Sequence, residues 1–527
     1  MELRGDQKEI RLDELEEQIW SAFRSFPSDK VLLAVHRAIK ESKDPSSPIH
    51  KVFPSDSGGF QPFVAAGISA FTIRFSSPNR YGEKEISFAD LADLYNLVFD
   101  YLTADPITTD EELAKNFYQS NPVFMVLRVV AGQFPFEFNT FGSIGRPLLL
   151  FGELPKDIEN RKGIPRFDFP EKFQKLTGLS IGDFVATGFV ASAGSSSQNT
   201  AGLTRAYFEK ARSQGIKIPG DNGVSLFLNS VAADPHRFRQ TYEDMKQKDR
   251  RFRMYDLNPL LRYPILRPWH HHSKKAMGRD KMVAPLPDLI AYRNSTGIFY
   301  EMFNHHTERF SEYFGHLFEA YTGRLLAASV SSGALISEES IRQTYDESSG
   351  KVPDWVVLDG STAVLIECKA TRFSLTALAT GARESVDYSL KQVRTGLKQL
   401  HEFREAIIRK APGLERFHHC TAIKPVLVTF EPLYLINSVF FRRHVNQVLE
   451  TGGITDLPWS ILSAKELECL QPHLGGGISF TETLSALETK TFYQVLQDHQ
   501  TKTNLTYKDS MLYKFDQEMY ERLKISA

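Results

Sequence analysis

Cysteine is scarce. The 527 residues contain three, Cys368, Cys420 and Cys469, widely spaced and with no CxxC pair. That argues against both a disulfide framework and a cysteine-built zinc site. Long apolar runs are also missing. No stretch of about 18 apolar residues occurs, so no membrane-spanning helix and no membrane partner are expected. The first residues, MELRGDQKEIRLDELEEQIW, are charged and lack the apolar segment of a secretory signal, which points to a cytoplasmic protein. Net charge is nearly absent, at −1 from 63 Lys+Arg against 64 Asp+Glu. A balanced total leaves nucleic acid open as a partner, because a basic groove can be local. No HExxH or GxxxxGK(S/T) motif is present, so a zinc protease and a P-loop ATPase have no anchor. Internal repeats are absent as well.

What is present is a large aromatic core, with 39 Phe and 42% hydrophobic residues. The length implies two or three domains. Residues 13–42 read as two helices broken at Pro27, and 43–60 as a Pro/Ser/Gly-rich loop. The run FVAAGISAFTIRF (63–75) fits a strand or a buried helix, and periodicity does not decide. SFADLADLYNLVFDYLT (87–103) is an amphipathic helix with a Ser at its start. AKNFYQSNPVFMVLRVVAGQF (114–134) and FPEKFQKLTGLSIGDFVATGFVAS (169–192) read as mainly helical. SAGSSSQNTAG (192–202) reads as a flexible loop. Residues 236–281 hold 13 Lys/Arg against 5 Asp/Glu, with aromatics interleaved. Arg250, Arg251 and Arg253 in that segment are candidates for tracking a phosphate backbone, with Trp269 available to stack on a base. A solvated helix face explains the same charges. The histidine runs at 270–272, 305–306 and 418–419 are expected to be solvated or core histidines.

The stretch KVPDWVVLDGSTAVLIECKATR (351–372) places Asp354, Glu367 and Lys369 in an otherwise apolar hairpin. DWVVLD and TAVLIECKA have strand composition, and DGS is turn chemistry. With Gly360 and Ser361 as a two-residue loop, Asp359 faces Thr362 and Asp354 faces Glu367. Lys369 then lies two residues on, on the same face. A loop of Asp359 and Gly360 also keeps the three together, whereas a three-residue loop splits them. Two adjacent carboxylates repel, and a divalent cation between them removes the repulsion. A lysine beside that cation can orient or deprotonate an attacking water, or stabilise transition-state charge.

PD followed after twelve residues by ECK resembles the PD-(D/E)XK nuclease superfamily, whose fold is restriction-endonuclease-like. The resemblance implies an α/β fold with an αβββαβ core, a mixed sheet flanked by helices. It implies that Asp354 and Glu367 bind Mg²⁺ or Mn²⁺ with the backbone carbonyl of Cys368, and that Lys369 acts in catalysis. Glu319, on a preceding helix drawn over 305–329, matches the acid that many members carry there; Glu312 is the weaker alternative. Lys391 and Gln392, on a long basic helix over 383–410, match the family's phosphate-proximal Lys or Gln. A first strand fits SVSSGALIS, and a last buried strand PVLVTFEP (425–432). A second PD, at Pro287 and Asp288, has no ExK in reach and reads as a loop entering a helix or strand.

The expected division is a mainly helical recognition, regulatory or dimerisation region (1–300), a nuclease core (301–435) and a mostly helical extension packed on it (436–527). The expected activity is metal-dependent phosphodiester hydrolysis, of DNA ahead of RNA or tRNA. By analogy it belongs to bacterial defence against phage or plasmids, with a homodimer and a phage-encoded trigger as further expectations. A non-catalytic module that binds nucleic acid or protein on the same fold is the alternative.

Overall fold

The structure is a computed structural model describing residues 12–54, 59–76, 86–104, 136, 142–159, 161, 163–197, 202–248, 250–267, 281–331, 333–346, 348, 350–371, 383–433, 437 and 439–524. The expected helix at 114–134 and the histidine run at 270–272 lie outside these residues, as does Trp269.

Proline sets the first boundary: the helices Leu12–Arg24 and Ser28–Glu41 meet at Pro27, which is extended and cannot continue the first helix. The ambiguous run at 63–75 is helical, over Pro62–Phe75, and every residue from Phe63 to Ile73 is buried. A helix covered on all sides has no apolar stripe, which is why its periodicity was silent. The helix Phe88–Thr103 begins with a capping box: Asp90 N–H donates to Ser87 Oγ, and Ser87 N–H to the Asp90 carboxylate. These four helices share one core with residues between Ala233 and Leu289.

The flexible loop expected at 192–202 is corrected in its first half, where the helix Ile181–Ser197 runs through it. Its small residues serve close packing. A Cβ on Gly194 would sit 2.5 Å from the Tyr207 ring.

A short parallel pair, β1 (Ala232–Ala233) and β2 (Ile265–Leu266), ties the central helices together. The main sheet has five strands in the order β3 (Leu335–Ser337), β4 (Trp355–Asp359), β5 (Thr362–Lys369), β6 (Ala422–Thr429) and β7 (Ser460–Ser463). The first three are antiparallel neighbours, and β5, β6 and β7 are parallel. The chain is thus mixed α/β, with a large helical N-terminal region. The helix Thr296–Ala327 precedes the sheet and packs Phe310, Phe314 and Phe318 into the same core as Val364, Ile366 and Val428. The helix Arg383–Ile408 crosses from β5 to β6. Its Val393, Leu397 and Leu400 share the opposite core with Ala363, Leu365 and Leu427. Odd and even positions of β5 therefore face different helices, as strand alternation requires.

Two features differ from the expected division. The 300/301 boundary falls inside Thr296–Ala327, a helix kinked at His306 and not a linker. The fifth strand comes from the segment 436–527, so that segment completes the sheet as well as packing on it. One apolar core runs through residues from Ile144 to Leu523. A buried polar cluster crosses the same parts. Arg146 Nε and Nη2 donate to the two Glu468 carboxylate oxygens at 2.6 Å each, and the Tyr321 hydroxyl donates to Glu468 at 2.6 Å. The second PD opens the helix Asp288–Asn294. Among the described residues no single helix is long and apolar enough to cross a membrane.

Candidate active site

The turn at DGS decides the geometry. Asp359 pairs with Thr362, and the register continues to Trp355 opposite Ile366. Gly360 and Ser361 form the two-residue loop, with Gly360 at φ +61°, a conformation that glycine takes without strain. One step beyond the last pair, Asp354 comes opposite Glu367. Their strands are tied there by the Cys368 N–H, which donates to Asp354 Oδ2 at 2.6 Å.

Glu367 is 2% exposed. Its Oε1 accepts from Lys369 Nζ at 2.6 Å, while its Oε2 is buried without a hydrogen-bond partner. Lys369 Nζ also donates to Gln399 Oε1 at 3.0 Å, across the sheet face on the Arg383–Ile408 helix. That helix can come close because Gly396 faces the site. A Cβ there would lie 2.5 Å from Leu427 Cδ1, 3.3 Å from Lys369 Cε and 3.4 Å from Glu367 Cγ.

Glu319 enters from the other helix. Its carbonyl accepts from Trp355 Nε1 at 3.2 Å, and its partly exposed carboxylate lies 3.8 Å from His316 Nδ1. Burial and the charges of Glu367 and Glu319 push the Asp354 carboxyl well above its usual range. Burial also raises Glu367, against the pull of Lys369. Burial would lower Lys369, but the charge of Glu367 and its hydrogen bond outweigh this and hold the ammonium protonated. The Cys368 thiol is pushed far up by burial, so no nucleophilic thiolate is available there.

Asp354, Glu367, Lys369, the Cys368 backbone and Glu319 thus converge. Lys391 and Gln392 are exposed, two helical turns before the contact that Gln399 makes. Gln392 and Gln399 are seven residues apart and share an azimuth, so the helix face was legible and the turn along it was not. Glu338 was also missed. Its N–H donates to the Asp354 carbonyl at 2.9 Å, and its charge acts on Glu367. Nothing in the sequence pattern marks it. Arg250 is paired with Asp256 at 2.9 Å, and Arg253 with Asp13 and Glu16. The Arg251 side chain lies outside the described residues.

Among the described residues no group of three His, Cys, Asp or Glu side chains is arranged to hold a metal ion. The donor set nevertheless suits Mg²⁺ or Mn²⁺, which take one or two carboxylates and complete their shell with main-chain, water and phosphate oxygens. Three carboxylates face a single lysine, and the buried Glu367 Oε2 lacks a partner. A divalent cation would meet both deficits. No protein-family model matches the chain, and neither a curated protein nor a solved structure matches it.

Proposed function

We propose that the chain is a metal-dependent nuclease that hydrolyses phosphodiester bonds, in DNA ahead of RNA, on a PD-(D/E)XK core. The observation that carries this reading is the buried Asp354–Glu367 pair beside Lys369, with one Glu367 oxygen left without a hydrogen bond. The helix–strand–strand–strand–helix–strand order around the pair, with a short helix Glu338–Arg342 inserted between the first two strands, supports it. Asp354, Glu367 and the Cys368 carbonyl would hold the cation, with Glu319 as a further ligand. A bound divalent cation supplies Lewis-acid polarisation of the phosphate and acidifies water. Lys369, held by the charge and hydrogen bond of Glu367, would orient or deprotonate the attacking water or act as a positioned cation for developing negative charge. Glu367 and Gln399 fix its position.

The direct Glu367–Lys369 ion pair favours a second reading, a non-catalytic module that binds nucleic acid or protein. The two separate by assay. Purified chain is incubated with plasmid, linear DNA and RNA in Mg²⁺, Mn²⁺ or EDTA. Cleavage in metal that Asp354→Asn and Lys369→Ala each abolish is expected. Equal behaviour of wild type and an Asp354→Ala/Lys369→Ala double variant in every condition would sink the enzyme reading.

A further inference from the structure

The basic segment 236–281 was expected to offer Arg250 and Arg253 to a phosphate backbone, yet both are matched by carboxylates. A different set of arginines is not. The helix Asp221–Val231 carries Ser225 and Asn229 one turn apart on one face, about 6 Å along the axis. Arg205 Nη1 donates to Ser225 Oγ at 3.0 Å. Arg237 Nη1 donates to the Asn229 carbonyl at 2.6 Å and, more weakly, to that of Ala232 at 3.4 Å. Arg267 Nη2 donates to Asn229 Oδ1 at 3.0 Å. Its backbone N–H is held by the Ala233 carbonyl at 2.8 Å, as an extension of the β1–β2 pair.

Three guanidinium groups are therefore gathered along one helical turn and held by neutral acceptors. None of the three forms an ion pair with a carboxylate among the described residues. Nearby, Arg212 pairs with Asp221. Asp234 accepts the Arg237 N–H as a helix cap, and Asp29 borders the same small cavity as Arg267. Burial, the charge of Arg205 and, less, that of Arg237 disfavour the protonated form of Arg267, against the opposing charge of Asp234, so the three guanidinium groups lie close together. Capping of the helix C-terminus accounts for Arg237 alone. It leaves unexplained why Arg205 and Arg267 reach side chains on the same face.

Each guanidinium has five donors and uses one or two here. The rest are available for bidentate contacts to phosphate oxygens. Arg205 and Arg237 are exposed, and the cations are strung along the helix. That suits successive phosphates of a strand better than a single small anion. We propose that Arg205, Arg237 and Arg267, set on Ser225 and Asn229, seat the sugar-phosphate backbone of the nucleic acid on the N-terminal region. Nucleic acid as the occupant rests on the nuclease reading, but the seat itself needs neither metal nor hydrolysis.

The test is fluorescence anisotropy of full-length protein with labelled duplex and single-stranded DNA in EDTA, over a series of salt concentrations. Arg205→Ala/Arg237→Ala is expected to weaken duplex binding by roughly tenfold per lost arginine. It should also lower the slope of log affinity against log salt by about 0.9 for each lost phosphate contact. Arg267→Lys should retain more binding than Arg267→Ala, with thermal melting confirming that both fold. Arg250→Ala, whose charge is already matched, should move neither quantity. Unchanged affinity and slope in the double variant would overturn the proposal. So would an equal effect of Arg250→Ala, or competition by inorganic phosphate as strong, per phosphate, as by DNA. Asp354→Asn protein that binds normally but does not cut would separate this seat from the hydrolytic site. Normal binding by a wild type that never cuts would uphold the seat while the nuclease reading fails.

Discussion

Replacing Glu468 by glutamine is expected to destabilise the chain by about 3–5 kcal/mol, the usual cost of leaving a buried charge without its partner. The Arg146 side chain is 8% exposed and that of Glu468 0%, and they meet through two hydrogen bonds of 2.6 Å. Glutamine keeps the shape but turns an N–H₂ donor toward a donor and removes the charge that balances the guanidinium. Tyr321 would retain at most a neutral acceptor in place of a carboxylate, a bond roughly half as strong. For 527 residues unfolding as one unit, specific entropies give about 1 °C of Tm per kcal/mol, so a fall of roughly 3–5 °C is expected. Calorimetry and urea unfolding would read it. Replacing all three groups by apolar ones, as Arg146→Met/Tyr321→Phe/Glu468→Leu, should recover most of the loss, because the apolar set needs no desolvation. A cost below about 1 kcal/mol for Glu468→Gln, or a triple variant less stable than the single, would refute this account of the cluster.

Gly396→Ala should lower stability by about 1–3 kcal/mol through overpacking against Leu427, less the helix gain from alanine. Because its Cβ also meets Lys369 and Glu367, the cleavage proposed above should fall further than the melting temperature explains, and Leu427→Val should restore part of both. Asp516 is 4% exposed, and burial raises its carboxyl to about 6, against hydrogen bonds from Tyr507 and the Gly145 backbone. Its proton is held more tightly in the fold than in the unfolded chain, so stability falls as pH rises from about 4 to about 6. The cost is fully present above that window. Asp516→Asn should therefore stabilise at pH 8, by at most about 3 kcal/mol, and do little at pH 4, as read by urea midpoints. Burial lowers both His473 and His499, which are 1% and 2% exposed. Their neutral forms contribute stability above pH 6.5 that is lost as pH falls through the lowered values. A His473→Gln/His499→Gln variant should show a flatter urea midpoint below pH 6.5 than wild type, and an identical slope would refute the assignment.

The hairpin was legible because two short-range rules agree there: alternation fixes faces, and turn chemistry at Gly360 fixes register. The same logic places Asp354, Glu367 and Lys369 on one face of the hairpin. The helix Phe88–Thr103 was legible from its cap and stripe. Long-range facts were not. The strand Ser460–Ser463 is four residues long and buried, and its identity depends on β6 lying beside it. Gln399 matters through packing between helix and sheet, which sequence spacing gives only to within a turn or two. The small residues around Gly194 resemble a loop by composition, because composition does not record which ring they must admit. Arg250 and Arg253 looked like free charge because their acids, Asp256, Asp13 and Glu16, become neighbours only on folding.

The apolar core that runs from Ile144 to Leu523 also limits how such a chain can be rearranged. A fragment cut at 301 and 435 would strip one sheet face of Phe151, Leu462 and Leu512 and leave wet a surface that folding keeps dry. The sheet therefore cannot be exchanged between proteins as a cassette. Substitutions in the helices that cover that face and in the hairpin are therefore coupled through one core.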